Sequence, residues 1–561
     1  MDRSISALRT LRPDQDGDIF WFRDDLHQPY PISPMGMSTV QKHHCWGYHV
    51  ASEQTQLPPS KGAHVKIHQG RVYLGFALIE DEAEVGRRAE SFGKLVEQCI
   101  DSWDEYYNGY IDEIIANIKA LDLDNSENLS IADLLDHVQK AEQMNRRAWE
   151  IHFILMYPAD ALYLEFEAYC LEMGLEEKDF VTMLKGFESM PSKTDEELWN
   201  LSIAAEEKGL NDIFLNEPAE NLLAVLEGTP KAKEWLERLG NFLDTYGNRI
   251  SAAHLDVLFP TWKEDPTPVL DTLKSYFPRR ESGWDFFEAR QTVDDQREDA
   301  IKACKAKINK DDLPHFERFL KAAQKIYAYQ EDHGFYIDQG CTAALHDSLM
   351  TAGRRLENLG LIEDAADIFY LNFGELVEIL GDLALDEKIG VYHYQLLIKP
   401  LIEERKADWC KAPDLDAPLT VGAVPETMTD PIAIKVFGII DEVLHPKGEK
   451  KVVERMEGFP GAPGSIEGPA RVIMNFEDFP KLQSGEILVC PYTGTAWTPL
   501  FLKIGGVVTD TGGMLTHAAI AAREYGIPAV VGTWTATNSI RNGDIIRLDG
   551  DNGVVEIIKR I

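Results

Sequence analysis

The spacing of apolar residues changes along this chain of 561 residues, and that change constrains the fold more than any other feature. From about residue 83 the apolar side chains fall at i, i+3 and i+4, as Phe92, Val96 and Cys99 do. That period is typical of amphipathic helices. Similar patterns recur at 130–187, 194–245, 295–330 and 340–385. After Gly458 short β-like runs alternate with Gly and Pro, around one helix at about 516–525. The sequence therefore predicts a multidomain protein in which a mainly α-helical domain precedes a C-terminal α/β domain.

The predicted segments have different textures. Residues 1–80 contain a strand candidate at Asp18–Arg23 and a hairpin signal around Gln69-Gly70. Between these two features, Pro29, Pro31 and Pro34 argue against a helix at 29–34. Residues 405–457 are rich in proline, which is typical of a linker. We predict an irregular and β segment at 1–80, a helical substrate-binding domain at 81–404, a linker at 405–457 and the α/β domain at 458–561.

Charge and cysteine content exclude several classes of function. The net charge of −38 argues against nucleic-acid binding and against an anionic membrane surface, because both need clustered Lys and Arg. The seven cysteines are dispersed without a CxxC pair, which indicates reduced thiols and predicts no metal ligated by this chain. We find neither a signal peptide nor an apolar run of about 20 residues, so we expect a cytoplasmic protein.

The stretch from Thr511 to Gly532 carries the clearest chemical signal. Gly512 and Gly513 precede Thr516, a candidate helix cap, and His517 follows in the first helical turn. Glycines allow close approach to a ligand, and the positive end of a helix attracts anions. Such a histidine can act as an acid or base, can attack phosphorus as a neutral imidazole, or can be purely structural. Further phosphate-binding or supporting residues are predicted one to two turns on, at Arg523 and Glu524.

This stretch resembles the phosphohistidine motif of the phosphoenolpyruvate-utilising enzymes: Gly-Gly, two residues, Thr-His, Ala-Ile, Ala-Arg-Glu and Gly-Ile-Pro-Ala-Val. The flanks agree at Gly461-Ala-Pro-Gly464, Gly485-Glu-Ile-Leu-Val489 and Asn542-Gly-Asp544. The resemblance covers about 105 residues and implies a swivelling domain in which His517 is phosphorylated.

The helical region resembles the substrate-binding domain of rifampin phosphotransferase and its relatives. The matching pieces are Trp21-Phe-Arg-Asp24 with Ser33-Pro34, Phe242-Leu-Asp-Thr-Tyr-Gly-Asn-Arg249, Pro260-Thr-Trp-Lys-Glu-Asp-Pro266, Gly353-Arg-Arg-Leu356 and Asp367-Ile-Phe-Tyr-Leu371. Relatives often read Tyr-Gly-His-Arg where this chain has Asn248, so an acid or base role at that position is in doubt.

Other members of the family carry an ATP-grasp domain or a phosphoenolpyruvate barrel, and neither is recognisable in this sequence. The layout resembles the histidine-bearing subunit of split enzymes such as phenylphosphate synthase and 4-methylbenzyl phosphate synthase. The resemblance therefore implies a heteromeric phosphotransferase of aromatic-compound degradation. An ATP-grasp subunit would bind ATP and Mg²⁺ and yield AMP and phosphate, while His517 passes a phosphoryl group to a phenol or benzylic alcohol.

Two alternatives share the same histidine: a carrier that phosphorylates another protein, and a split antibiotic phosphotransferase. The acceptor hydroxyl needs a general base, for which the helical region offers histidines by residue type alone. Arg249 is a candidate phosphate ligand. The base candidates are His43, His254 and His333, followed by His44, His49 and His346.

Overall fold

A computed structural model describes residues 10–12, 16–121, 126, 128–250, 255–415, 417–445, 453–474, 476–494 and 497–561. The strands are β1 Phe20–Arg23, β2 Ser60–His68, β3 Arg71–Leu78, β4 Thr420–Gly422, β5 Arg455–Glu457, β6 Phe459–Ala462, β7 Ser465–Val472, β8 Ile487–Cys490, β9 Gly506–Thr509, β10 Ala529–Val531, β11 Ile545–Asp549 and β12 Val554–Lys559.

Twenty-one α-helices lie within the described ranges. They are α1 Pro34–Ser38, α2 Val40–Thr55, α3 Glu82–Lys119, α4 Ile131–Glu172, α5 Glu177–Met183, α6 Met190–Glu207, α7 Asn211–Asn216, α8 Ala219–Glu227, α9 Lys233–Tyr246, α10 Thr267–Glu281, α11 Phe286–Lys307, α12 Leu313–His333, α13 Thr342–Asn358, α14 Phe373–Leu385, α15 Glu387–Tyr394, α16 Ile398–Lys411, α17 Pro431–Lys435, α18 Asp441–Leu444, α19 Thr498–Phe501, α20 His517–Glu524 and α21 Ala536–Ser539. The predicted order of a helical region and a C-terminal α/β region is confirmed.

The chain divides into two compact units. Unit 1 comprises residues 1–161, 253–259 and 333–425, and unit 2 comprises residues 162–252, 260–332 and 426–561. The C-terminal region thus packs with helices from 162–332, and the predicted linker is shared between the units. The units differ from the segments predicted from sequence, whose boundaries stay predictions.

Unit 1 contains a four-stranded antiparallel sheet in the order β2-β3-β1-β4. The β2–β3 hairpin turns at Gln69 and Gly70, both of which have positive φ (50° and 75°). A two-residue turn with two positive φ values matches the right-handed twist of the strands it joins. The predicted hairpin is therefore present.

The expectation that Pro29, Pro31 and Pro34 exclude a helix is wrong at Pro34, where a helix begins. Pro34 occupies the first turn of α1, where a proline costs no hydrogen bond, and the Ser33 hydroxyl caps this helix by accepting from the Gly36 N–H at 2.9 Å. The sixteen-residue helix α2 follows almost at once. Proline therefore marks the start of a helix here.

Unit 2 combines an eight-stranded sheet with a helical bundle. The sheet order is β5-β12-β11-β7-β8-β9-β10-β6, and β7 to β10 pair in parallel. The bundle core holds Trp199, Trp235 and Trp262, and Leu502 from the C-terminal region packs into the same cluster. This shared burial of apolar surface explains why the two parts form one unit.

Candidate functional site

His517 is the first residue of α20, which follows the carboxyl end of the parallel strand β9. Among residues 511–523 it is the one side chain that is partly exposed, and all the others are buried. A rigid, buried framework thus presents an accessible imidazole at the edge of the sheet, as the sequence motif predicts.

Thr493 orients this imidazole. Its Oγ1 lies 2.9 Å from His517 Nδ1. Phe501 meets the ring edge-on, with 5.8 Å between the centroids. Thr493 follows β8, and the parallel register that pairs Cys490 with Thr509 brings the carboxyl ends of β8 and β9 to the same edge. Sequence reasoning missed Thr493, because its only signal is a polar residue just beyond a predicted parallel strand.

Other protein atoms lie close to the two glycines before the helix, so neither glycine faces open space. A Cβ at Gly513 would stand 2.3 Å from the Lys435 carbonyl oxygen, and a Cβ at Gly512, whose φ is 95°, would meet the Thr516 side chain at 2.6 Å. The N–H groups of Gly513 and Leu515 donate to the carbonyls of Val436 and Lys435 at 3.2 and 2.9 Å. The end of α17 and the residue after it therefore pack against the glycine loop, where the sequence predicts a ligand.

Thr516 stands at the N-cap position of α20, but its side chain does not cap the helix. The Thr516 hydroxyl donates to the Gly513 carbonyl at 2.7 Å. Its side chain thus fixes the turn of the loop, which corrects the predicted capping role.

Arg523 and Glu524 anchor the other end of α20. Arg523 is buried, and its Nη2 donates to the Met514 carbonyl at 2.7 Å. Glu524 accepts from the Gly186 N–H at 2.8 Å, and burial raises the pKa of its carboxyl to about 7. The contacts found for both side chains are to protein groups, and their predicted support of phosphate stays a prediction.

A cavity of about 150 Å³ lies along the same face of α20 as His517. Ala521 and Glu524, at i+4 and i+7 from the histidine, line it. Its walls also contain two carboxyl groups from the helical bundle, Asp195 and Glu331. The aromatic wall residues are Phe187, Trp284, Phe286, Phe501 and Tyr525. The volume matches that of a cavity known to hold a single benzene ring.

Burial brings the pKa values of two carboxyl groups in this cavity close to neutral pH. Asp195 is 1% exposed, neither of its carboxylate oxygens has a hydrogen-bond partner among the described residues, and burial raises its pKa to about 7. Burial and the neighbouring Glu524 raise the pKa of Glu331 to about 8. A carboxyl group with a pKa near neutrality is suited to accept or donate a proton in catalysis.

Arg249 lies beside this group of carboxyls. Its Nη2 donates to Thr194 Oγ1 at 2.9 Å, and its guanidinium lies 4.9 Å from the Trp262 ring centroid. Burial lowers its pKa to about 10, against the attraction of Asp195. Arg249 is thus a buried cation that partly balances Asp195, and its predicted role as a phosphate ligand stays a prediction.

The candidate histidines of unit 1 lie in different environments. Both ring nitrogens of His43 are engaged, by Asn145 Oδ1 at 2.9 Å and Glu142 Oε1 at 2.8 Å, which indicates a structural role. His254 lies outside the described residues. His49 and His346 each place Nδ1 within hydrogen-bond distance of a backbone carbonyl oxygen, and His44 packs among aromatic rings.

His333 lies near Asp338 and His152. Its Nε2 is 3.6 Å from Asp338 Oδ2, and His152 Nδ1 is 3.0 Å from Asp338 Oδ1. These three side chains offer donor atoms that all lie within 4.8 Å of one another, a spacing that could hold a metal ion.

Two family models match this chain. Residues 482–553 match the mobile domain of PEP-utilising enzymes, and residues 152–331 match the fourth domain of rifampicin phosphotransferase. The first match contains His517 and Thr493, and the second contains Asp195, Arg249 and Glu331.

Similar curated proteins include three of larger size. Chondramide synthase cmdD of Chondromyces crocatus is 29% identical over 97% of this chain and 14% of its own length. The uncharacterized phosphotransferase YvkC of Bacillus subtilis is 27% identical over 98% of this chain and 63% of its length. Rifampicin phosphotransferase of Bacillus subtilis is 30% identical over 62% of this chain and 36% of its length. The chain thus spans less than two thirds of each of these relatives.

Within the described ranges, no helix is both long enough and apolar enough to cross a membrane.

Proposed function

We propose that this chain, in which a mobile domain of the PEP-utilising enzymes follows a rifampicin phosphotransferase fourth domain, transfers phosphoryl groups through His517 to a small hydroxyl compound. The observation that carries the proposal is the accessible imidazole at the start of α20, with Nδ1 held by Thr493 at 2.9 Å. Such a ring is oriented for nucleophilic attack before the phosphoryl donor arrives.

The hydrogen bond with Thr493 suggests which nitrogen reacts. If Nδ1–H donates to the Thr493 hydroxyl oxygen, the lone pair of the neutral ring lies on Nε2. In our proposal Nε2 forms a bond to phosphorus while the bond between phosphorus and the leaving oxygen breaks. The donor is ATP: Nε2 attacks its β-phosphorus, the bond from that phosphorus to the oxygen of AMP breaks, and water then takes the γ-phosphoryl group, which leaves as phosphate.

In the second step the acceptor hydroxyl attacks phosphorus and the N–P bond breaks, which returns the lone pair to His517. The hydroxyl proton needs an acceptor, and Asp195 has the chemistry for it, with a pKa of about 7 and no hydrogen-bond partner among the described residues. The cavity that Asp195 lines also contacts α20, which supports placing the acceptor there. Its volume fits one aromatic ring, so we propose a phenol or benzylic alcohol.

We further propose that ATP and its Mg²⁺ are bound by a separate ATP-grasp subunit. Between residues 79 and 419 the described part of the chain has helices and no strand ladder, whereas a nucleotide domain of that class needs alternating strands. ATP bound to the separate subunit would phosphorylate His517, and phosphorylated His517 would then transfer the phosphoryl group to the acceptor hydroxyl.

The similarity to rifampicin phosphotransferase favours a second candidate, inactivation of an antibiotic by the same chemistry. The size of the cavity argues against it, because about 150 Å³ is far below the several hundred Å³ typical of sites for drug-sized ligands.

The test uses the full chain with the ATP-grasp subunit, ATP and a set of phenols and benzylic alcohols. We expect an aryl or benzyl phosphate from the native chain and none from His517→Ala. His393→Ala, which removes an exposed histidine of α15, serves as the matched variant and should retain transfer. Product formation by His517→Ala at the native rate would refute the mechanism. Transfer of the phosphoryl group from His517 to rifampicin, and to none of the phenols or benzylic alcohols, would favour the second candidate.

A further inference from the structure

Unit 1 contains a group of three side chains of the types that ligate metal ions, and the proposed phosphoryl transfer does not use them. His152 lies on α4, His333 ends α12, and Asp338 belongs to the segment Gly334–Cys341, which has the π-helical hydrogen-bond pattern. One donor atom from each side chain lies within 4.8 Å of the other two. Two histidines and one carboxylate form a ligand set common for divalent transition metals.

The distances fit a shared ion. His152 Nδ1 lies 3.0 Å from Asp338 Oδ1, and His333 Nε2 lies 3.6 Å from Asp338 Oδ2. With bonds of about 2.0–2.1 Å from Zn²⁺ to imidazole nitrogen and carboxylate oxygen, tetrahedral ligand atoms stand about 3.3 Å apart. The two observed separations, one to each carboxylate oxygen of Asp338, lie on either side of that value.

A hydrogen bond does not account for the position of His152. This side chain is 8% exposed, and its Nδ1 makes no hydrogen bond among the described residues even though a carboxylate oxygen lies 3.0 Å away. The ring nitrogen is buried at that distance without an N–H directed at the oxygen. This is the geometry expected if His152 Nδ1 and Asp338 Oδ1 both bind one metal ion. Burial of a polar atom without a partner is otherwise costly.

The π segment brings the other two ligands together. In an α-helix, residues five apart such as 333 and 338 differ by about 140° around the axis and point to different sides. In a π-helix the hydrogen bond runs from i to i+5, so the same spacing brings them close to one side. The π-helical segment spans eight residues and lies where the chain supplies His333 and Asp338. This local distortion indicates that the fold is adapted to bring these two side chains together.

We propose that His152, His333 and Asp338 bind a divalent transition metal ion of the Zn²⁺ type. This proposal departs from the sequence-based expectation that the chain ligates no metal. Three protein ligands leave at least one coordination position for water or a hydroxyl oxygen, as in zinc sites that bind a reactant. The single carboxylate offsets one of the two positive charges of the ion.

The experiment uses the full chain, treated with a chelator and then titrated with Co²⁺. We expect one equivalent to give the visible absorption of tetrahedral Co²⁺ and Zn²⁺ to displace it. Asp338→Asn and His152→Ala should each weaken Co²⁺ binding at least tenfold, whereas His393→Ala, which removes an exposed histidine of α15, should leave it unchanged. Far-UV circular dichroism establishes that each variant folds.

A second measurement needs no variant. Anomalous diffraction from native crystals grown with Zn²⁺ should show a peak between the three side chains. No tetrahedral Co²⁺ spectrum at one equivalent, equal affinity in Asp338→Asn and His393→Ala, or a Zn²⁺ peak elsewhere would overturn the proposal and leave the three residues as a buried ion-pair network. None of these outcomes depends on phosphoryl transfer.

Discussion

Replacement of Glu331 by glutamine should flatten the pH dependence of the stability of unit 2. Glu331 is 8% exposed, and burial with the nearby Glu524 raises its pKa from 4.5 to about 8. Between these values the native state holds a proton that the unfolded chain has lost, so stability falls as pH rises. One such proton corresponds to about 1.4 kcal/mol per pH unit.

The magnitude follows from that slope. Between pH 5.5 and 7.5 the native chain should lose about 2–3 kcal/mol of unfolding free energy through Glu331 alone. Glutamine does not titrate, so the free-energy difference between Glu331→Gln and the native chain should shift by that amount in favour of the variant. A constant offset from the new amide group does not alter the slope.

Urea denaturation at several pH values measures this effect, with the fluorescence of the buried tryptophans of the bundle core as the signal. Glu220→Gln, on the exposed face of α8, is the matched control and should keep the native slope. Parallel slopes for Glu331→Gln and the native chain would refute the placement of Glu331 as a protonated, buried carboxyl group.

Three further substitutions test the site. Gly513→Ala puts a Cβ 2.3 Å from the Lys435 carbonyl oxygen and should lower the free energy of unfolding by about 2–4 kcal/mol, measured by thermal unfolding. Gly240→Ala, which has no atom within 4 Å, should raise it by up to about 1 kcal/mol. An equal response of the two variants would contradict the close backbone packing. Thr493→Val, which removes the contact with Nδ1, should slow phosphorylation of His517 roughly 10- to 100-fold in a rapid-quench assay, with Thr493→Ser near native; an unchanged rate would argue against the orienting role. Asp195→Asn should slow dephosphorylation by the acceptor but not the loading of His517, and equal effects on both steps would exclude Asp195 as the proton acceptor.

The sequence predicts best where a local pattern determines the structure. The strands around His517, the helix that it begins and the hairpin at Gln69-Gly70 each follow from residues adjacent in the chain. The proline pattern misleads at Pro34, because the first turn of a helix tolerates proline and α1 begins there.

The chemistry around His517 was less predictable. Asp195 and Glu331 come from different helices and meet α20 only in the folded unit, so no sequence spacing relates them. The glycines at 512–513 were assigned to a ligand, yet a backbone segment from 434–438 approaches them. Only tertiary structure distinguishes these two uses of glycine.

Phosphorylation of His517 itself is the most direct test of the account. The full chain is incubated with the ATP-grasp subunit and ATP labelled at the β-phosphate, and peptides are then mapped by mass spectrometry under alkaline conditions that preserve phosphohistidine. The proposed mechanism predicts one acid-labile phosphoryl group, on His517, which disappears when the aromatic acceptor is added. Label on another residue, or an unlabelled chain that still yields aryl phosphate, would contradict it.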